Sequence, residues 1–165
     1  MHTEPSPRRC DACFACCDYP AIPELAKPAY QLCQHASTAG CAIYAARPGP
    51  CHDYRCLWLD GEFEPGDRPD RIGLAFDQPT LIAEHPDYAG VQVICVRELW
   101  EGAPRGERAK DLLLRLSRAM VVRLVSHGGR TQVMGPRAMV ELVAQRAADR
   151  KEAAADPKPG RRDPP

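Results

Sequence analysis

The chain has 165 residues and a formal net charge of zero, from 22 basic and 22 acidic side chains. That length suits one domain, or a small domain with an elaboration. The balance of charge offers no electrostatic basis for binding nucleic acid or an anionic membrane. No basic stretch is interleaved with aromatic residues, so neither partner is expected.

Residues 1–9 are proline-rich and charged and read as a disordered tail. They lack the apolar run of a signal peptide, and no later stretch approaches the length of a membrane span. The expected setting is therefore a reducing cytoplasm. There thiols persist, and metals rather than disulfides stabilise small loop-rich units.

Residues 10–60 form the informative region. Eight of the nine cysteines fall here, as Cys10-x2-Cys13-x2-Cys16-Cys17, then Cys33, Cys41, Cys51 and Cys56. Two-residue spacing lets one tight turn aim two sulfurs at one ion, which a disulfide framework does not require. Their neighbours are Asp, Pro, Gly, Arg and His, so the cysteines are not simply core residues. A short helix is expected around Ile22 to Gln34, interrupted by Pro28. Turns are expected at Ala39-Gly40 and Arg47-Pro48-Gly49-Pro50. The reading is irregular backbone organised by metal, with all eight thiolates as ligands.

Residues 61–150 follow a different logic. Arg71 to Phe76 reads as a short strand and Val91 to Trp100 as a longer one. Arg105 to Met120 places Leu112, Leu113, Leu116 and Met120 at helical spacing, opposite a charged face. Val121 to Val125 and Thr131 to Met134 flank Ser126-His127-Gly128-Gly129-Arg130 as a hairpin. Pro136 can open a last helix running to about Arg150, since proline is tolerated in a first turn. Residues 151–165 read as a second disordered tail. The expected fold class is α+β: an irregular cysteine-rich metal-binding half, then a small, mostly antiparallel sheet with two helices on one face. Cys95, in the β-branched run VQVICVREL, is read as plain core. No Gly-rich phosphate loop follows any strand, and no nucleophile elbow occurs.

The metal follows from ligand type. Both zinc and iron–sulfur clusters accept thiolates. Cys10-x2-Cys13-x2-Cys16 matches the first three positions of a bacterial ferredoxin run, which tips the reading toward iron–sulfur. The uneven spacing of Cys41, Cys51 and Cys56 is less suited to paired zinc hooks, yet zinc stays open. Cys16 and Cys17 are adjacent, and successive side chains point apart, so the pair serves two centres or leaves one thiol beside the metal rather than on it. Either His35 or His52 could be a ligand, since imidazole suits zinc and some iron centres; the other reading, favoured because the thiols already suffice, is a neighbour of the thiolates or a surface residue. His2, His85 and His127 are read as structural or solvent-facing. Arg8, Arg9, Arg47 and Arg55 are candidates to offset thiolate charge. Asp11, Asp18 and Asp53 form no paired acid/base arrangement.

Several of these elements occur together in one known group. CDACFACC, the Cys33-x-His35 element, Gly40-Cys41-x-Ile43-Tyr44, Arg47-Pro48, Cys51 and Tyr54-x-Cys56-x-Trp58 resemble the YkgJ-type cysteine-cluster family, described as a zinc- or iron-chelating domain. The resemblance spans roughly residues 10–60 and continues weakly to Arg68-Pro69. It implies metal binding and no particular reaction. The family's usual arginine after the seventh cysteine is His52 here, and Arg55 is the nearby basic residue. Some larger relatives modify proteins, as in flagellin lysine methylation, but this chain is too short for that architecture. The expected function is a metal-binding cysteine-cluster protein. The alternatives are an electron-transfer or redox protein using an iron–sulfur centre, or an enzyme with an open iron vertex.

Overall fold

The computed structural model describes residues 8–10, 13–77 and 85–155. Most of both expected tails, and Asp11, lie outside the described residues. Four strands form the main sheet: β3 (Leu74–Asp77), β4 (Val93–Glu98), β5 (Val121–Val125) and β6 (Thr131–Met134), in that spatial order. The β3–β4 and β5–β6 pairs are antiparallel, and the central β4–β5 pair is parallel. A parallel pair needs a crossover, supplied here by the helix Glu107–Ala119. With a separate two-stranded hairpin, β1 (Ala36–Ser37) with β2 (Gly40–Cys41), the architecture is α+β.

Among the described residues, four α-helices accompany the strands: α1 (Gly49–Asp53), α2 (Pro69–Ile72), α3 (Glu107–Ala119) and α4 (Arg137–Ala155). The two long ones cover opposite faces of the sheet, which corrects the one-face arrangement expected from element order. Leu112 and Leu113 of α3 pack with Leu74, Phe76, Ile94, Val96, Val122 and Leu124. Val143 of α4 packs with Tyr88, Val93 and Val121, which alternation points the other way. Burial on both faces explains why β4 and β5 are nearly continuously apolar. Removing each such side chain from water contributes about 1.5–3 kcal/mol.

The cysteine-rich half docks at the β3 edge. The Leu57 amide donates to the Phe76 carbonyl at 3.0 Å. Leu57 and Phe63 pack on the α3 side of the sheet. Ala15, Tyr19 and Tyr54 pack against Ala75 and Leu99 on the α4 side.

Five further expectations change. The segment Ile22 to Gln34 is not a helix. It holds one 3-10 turn, Pro23–Leu25, and an Ile22–Lys27 bridge, because Pro23 and Pro28 deny the amides a helix needs. The Gly49-Pro50 turn instead starts α1, with proline in its first turn. The expected strand Arg71 to Phe76 is split. Its first residues belong to α2, which ends at Gly73 in the left-handed region with φ 75°. The last helix runs beyond Arg150 to Ala155. Arg8, placed in the expected N-terminal tail, donates to the carbonyls of Trp58 and Phe63 and lies 5.3 Å over the Trp58 ring. Among the described residues no helix is long and apolar enough to cross a membrane.

Candidate metal centre

Short turns set the positions of the cysteines. The Cys13 amide bonds to the Cys10 carbonyl at 2.6 Å, closing the first turn. Ala15–Cys17 is a 3-10 turn, with the Cys17 amide on the Phe14 carbonyl at 2.8 Å. The Cys33 amide then bonds to the Cys17 carbonyl at 2.9 Å, drawing the two segments together. The Cys33 carbonyl accepts from Ala36, whose register partner across the small hairpin is Cys41. Cys51 lies on α1 and Cys56 just beyond it.

Seven of the eight clustered cysteines, all but Cys56, line one cavity of about 190 Å³. A smaller adjoining space of about 20 Å³ is walled by Cys10, Cys13, Cys16 and Cys56. Tyr54 and Leu59 border both spaces. No disulfide joins any two of the nine cysteines. Among the described residues, no three His, Cys, Asp or Glu groups stand close enough to hold one metal ion. The sulfurs therefore share cavity walls without forming a closed coordination sphere.

The thiols are tuned by burial and by one another. Burial is the main cause that pushes Cys13 up to about 12. Cys16 shares a hydrogen bond with Cys17, which raises Cys16 and lowers Cys17 to about 7. Burial raises Cys51, and the neighbouring thiols Cys17, Cys33 and Cys41 add to it. Burial also raises Cys56.

Two cations line the larger cavity from within the fold. Lys27, only 7% exposed, donates from Nζ to the carbonyls of Asp18, Pro20 and Pro28 at 2.7, 2.5 and 3.0 Å. Arg47 lies 4.0 Å over the Tyr44 ring, and its Nε is buried with no hydrogen-bond partner. Of the arginines expected to offset charge, Arg47 meets that description. Arg55 also lines the cavity, but its Nε pairs with Asp60 at 2.7 Å. Arg8 is engaged with carbonyls. Lys27 was missed from sequence. Its signal is weak: a lysine among Ile22, Leu25 and two prolines, in a segment with few other apolar residues.

The histidines stay at the margin. His52 borders the cavity, but its side chain is 72% exposed and its Nδ1 lies 2.9 Å from Asp53. His35 contacts Gln34 at 3.4 Å. His127 meets Tyr30 edge-on, and His85 Nδ1 accepts from the Asp87 amide at 3.3 Å. Cys95 lies apart from the other eight, buried in β4 as expected. Its surroundings are more polar than plain core, however. Asp77 and Arg123 are its register partners, and Arg123 Nη1 lies 3.6 Å from its sulfur.

A buried polar network joins this half to the sheet. Asp77, 1% exposed, accepts from Tyr19 at 2.8 Å and Tyr54 at 2.7 Å, and Arg97 donates to its other oxygen at 3.0 Å. The Tyr19 and Tyr54 hydroxyls also lie against each other. Sequence reading missed this network, since its four members are scattered over 79 positions, from 19 to 97. Comparisons with protein-family models, with curated proteins and with solved structures returned no match for the chain.

Proposed function

We propose that the chain is a metal-binding protein of the cysteine-cluster type, holding iron as an iron–sulfur cluster, or zinc, through Cys10, Cys13, Cys16, Cys17, Cys33, Cys41, Cys51 and Cys56. One observation carries the reading. All eight cysteines face two adjoining cavities that share walls, and no disulfide consumes them. The donor set suits soft, thiophilic metals. The surroundings suit an anionic centre as well: Lys27 and the unpartnered Arg47 Nε would offset thiolate charge. The YkgJ-type resemblance points the same way.

Binding would draw the sulfurs in around metal, and the short turns that carry them leave room for that adjustment. A bound metal supplies cross-links to a segment that has little apolar packing of its own. The chain's residues position thiolates, exclude water and balance charge. A redox role is the second reading, favoured by the ferredoxin-like spacing of Cys10, Cys13 and Cys16.

The test is anaerobic purification followed by metal and acid-labile sulfide analysis beside a visible spectrum. Iron with sulfide identifies a cluster, and colourless protein with zinc identifies the other metal. Cys13→Ser is expected to lose metal, and Cys95→Ser to keep it. Metal-free native protein, or equal metal content in the two variants, overturns the proposal.

A further inference from the structure

The eight thiols do not surround one point. Cys10, Cys13, Cys16 and Cys56 wall the smaller space, and none of the other four cysteines borders it. Cys17, Cys33, Cys41 and Cys51 border only the larger cavity. The backbone draws together part of each set. One turn carries Cys10 and Cys13, joined by an amide–carbonyl bond. The Cys17–Cys33 bond and the β1–β2 hairpin gather Cys17, Cys33 and Cys41.

Resting on the thiolate-metal reading above, we infer that the protein holds two separate four-cysteine centres: one on Cys10, Cys13, Cys16 and Cys56, the other on Cys17, Cys33, Cys41 and Cys51. The adjacent pair Cys16 and Cys17 is the seam between them, one sulfur to each side.

The two centres differ in kind. A space of about 20 Å³ has room for one water-sized occupant, since one needs about 10–15 Å³ by this measure. The first centre therefore takes a single ion rather than a cluster. Four thiolates around a divalent ion are its natural shell. The second opens on about 190 Å³, with space for a larger group. Each set closes on its metal as the metal binds.

The experiment counts ions. The full chain is stripped of metal, reconstituted anaerobically with Zn²⁺ and weighed by native mass spectrometry. Two ions per chain are expected. Cys13→Ala with Cys56→Ala leaves the first set two thiols, and one ion remains at wild-type affinity. Cys33→Ala with Cys51→Ala gives the same count from the other side. The cross-set pair, Cys13→Ala with Cys51→Ala, leaves three thiols on each side, so neither ion is held at wild-type affinity. Hydrogen exchange of β4 and β5 verifies that each variant is folded. A single ion, lost in every variant, overturns the partition and leaves the thiolate-metal reading standing. So does a cross-set pair that keeps one ion at full affinity while a same-set pair weakens both. No bound Zn²⁺ on any form overturns the partition, and a chain that also takes up no iron and sulfide on anaerobic reconstitution overturns the reading with it.

Discussion

The Tyr54 hydroxyl donates to Oδ1 of Asp77 across 2.7 Å, fastening the wall of the cysteine cavities to the first strand of the main sheet. Asp77 gathers three donors, Tyr19, Tyr54 and Arg97, at a site 1% exposed. The cysteine half has little apolar packing, so this polar joint sets its position on the sheet.

Asp77→Ala is expected to destabilise the protein by about 3–5 kcal/mol, because it strands a largely buried guanidinium and two buried hydroxyls. Tyr54→Phe removes one bond to a carboxylate and is expected to cost about 1.5–3 kcal/mol. Urea denaturation of the two variants measures both. Equal, small losses would mean that Asp77 is not the hub.

Gly73→Ala tests the junction between α2 and β3. The residue has φ 75°, and an added Cβ would lie 2.6 Å from Trp100 Cζ2 and would collide with Ala103. The left-handed conformation costs an L-residue about 1–2 kcal/mol and overpacking about 1–3 more. A loss of about 2–5 kcal/mol in thermal or urea unfolding is expected.

Asp67 carries a pH dependence. Arg108 Nε and Nη2 donate to its two oxygens at 2.6 and 2.7 Å, which holds its carboxyl below the usual range. A depressed folded value means that the unfolded chain takes up the proton first. The pair's contribution is thus full above the unfolded value of about 3.9 and fades as pH falls through the lower folded value. Asp67→Asn is expected to lower stability at pH 7, with the gap to wild type closing from about pH 4 downward. A gap that stays constant with pH would contradict the ion pair.

The main sheet was largely legible because its signals are local. The hairpin of β5 and β6 follows from two apolar runs around Ser126 to Arg130, and α3 from the spacing of Leu112, Leu113 and Leu116. That α3 and α4 take opposite faces was also written in the sequence, in the nearly continuous apolar runs of β4 and β5, because strands buried on both faces lose the alternation of half-buried ones. The cysteine half was legible in composition and not in path. Its turns are fixed by backbone bonds such as Cys33 to Cys17, which leave no side-chain pattern. Lys27 was invisible for the same reason, since backbone carbonyls cage it.

Metal removal is expected to act on the two halves unequally. The β4 and β5 strands are buried on both faces and hold their amides without help from the thiols. Residues 10–60 have short turns and few apolar neighbours. Chelation under reducing conditions is expected to remove hydrogen-exchange protection from residues 10–60 first, leaving the central strands protected. Unchanged protection in the cysteine half would contradict a metal that organises it.

The most direct measurement is X-ray absorption at the metal edge of anaerobically purified protein. The account predicts an inner shell made of sulfur alone, at about 2.3 Å for either metal. An inner shell of oxygen and nitrogen, or protein without a metal edge, would contradict it.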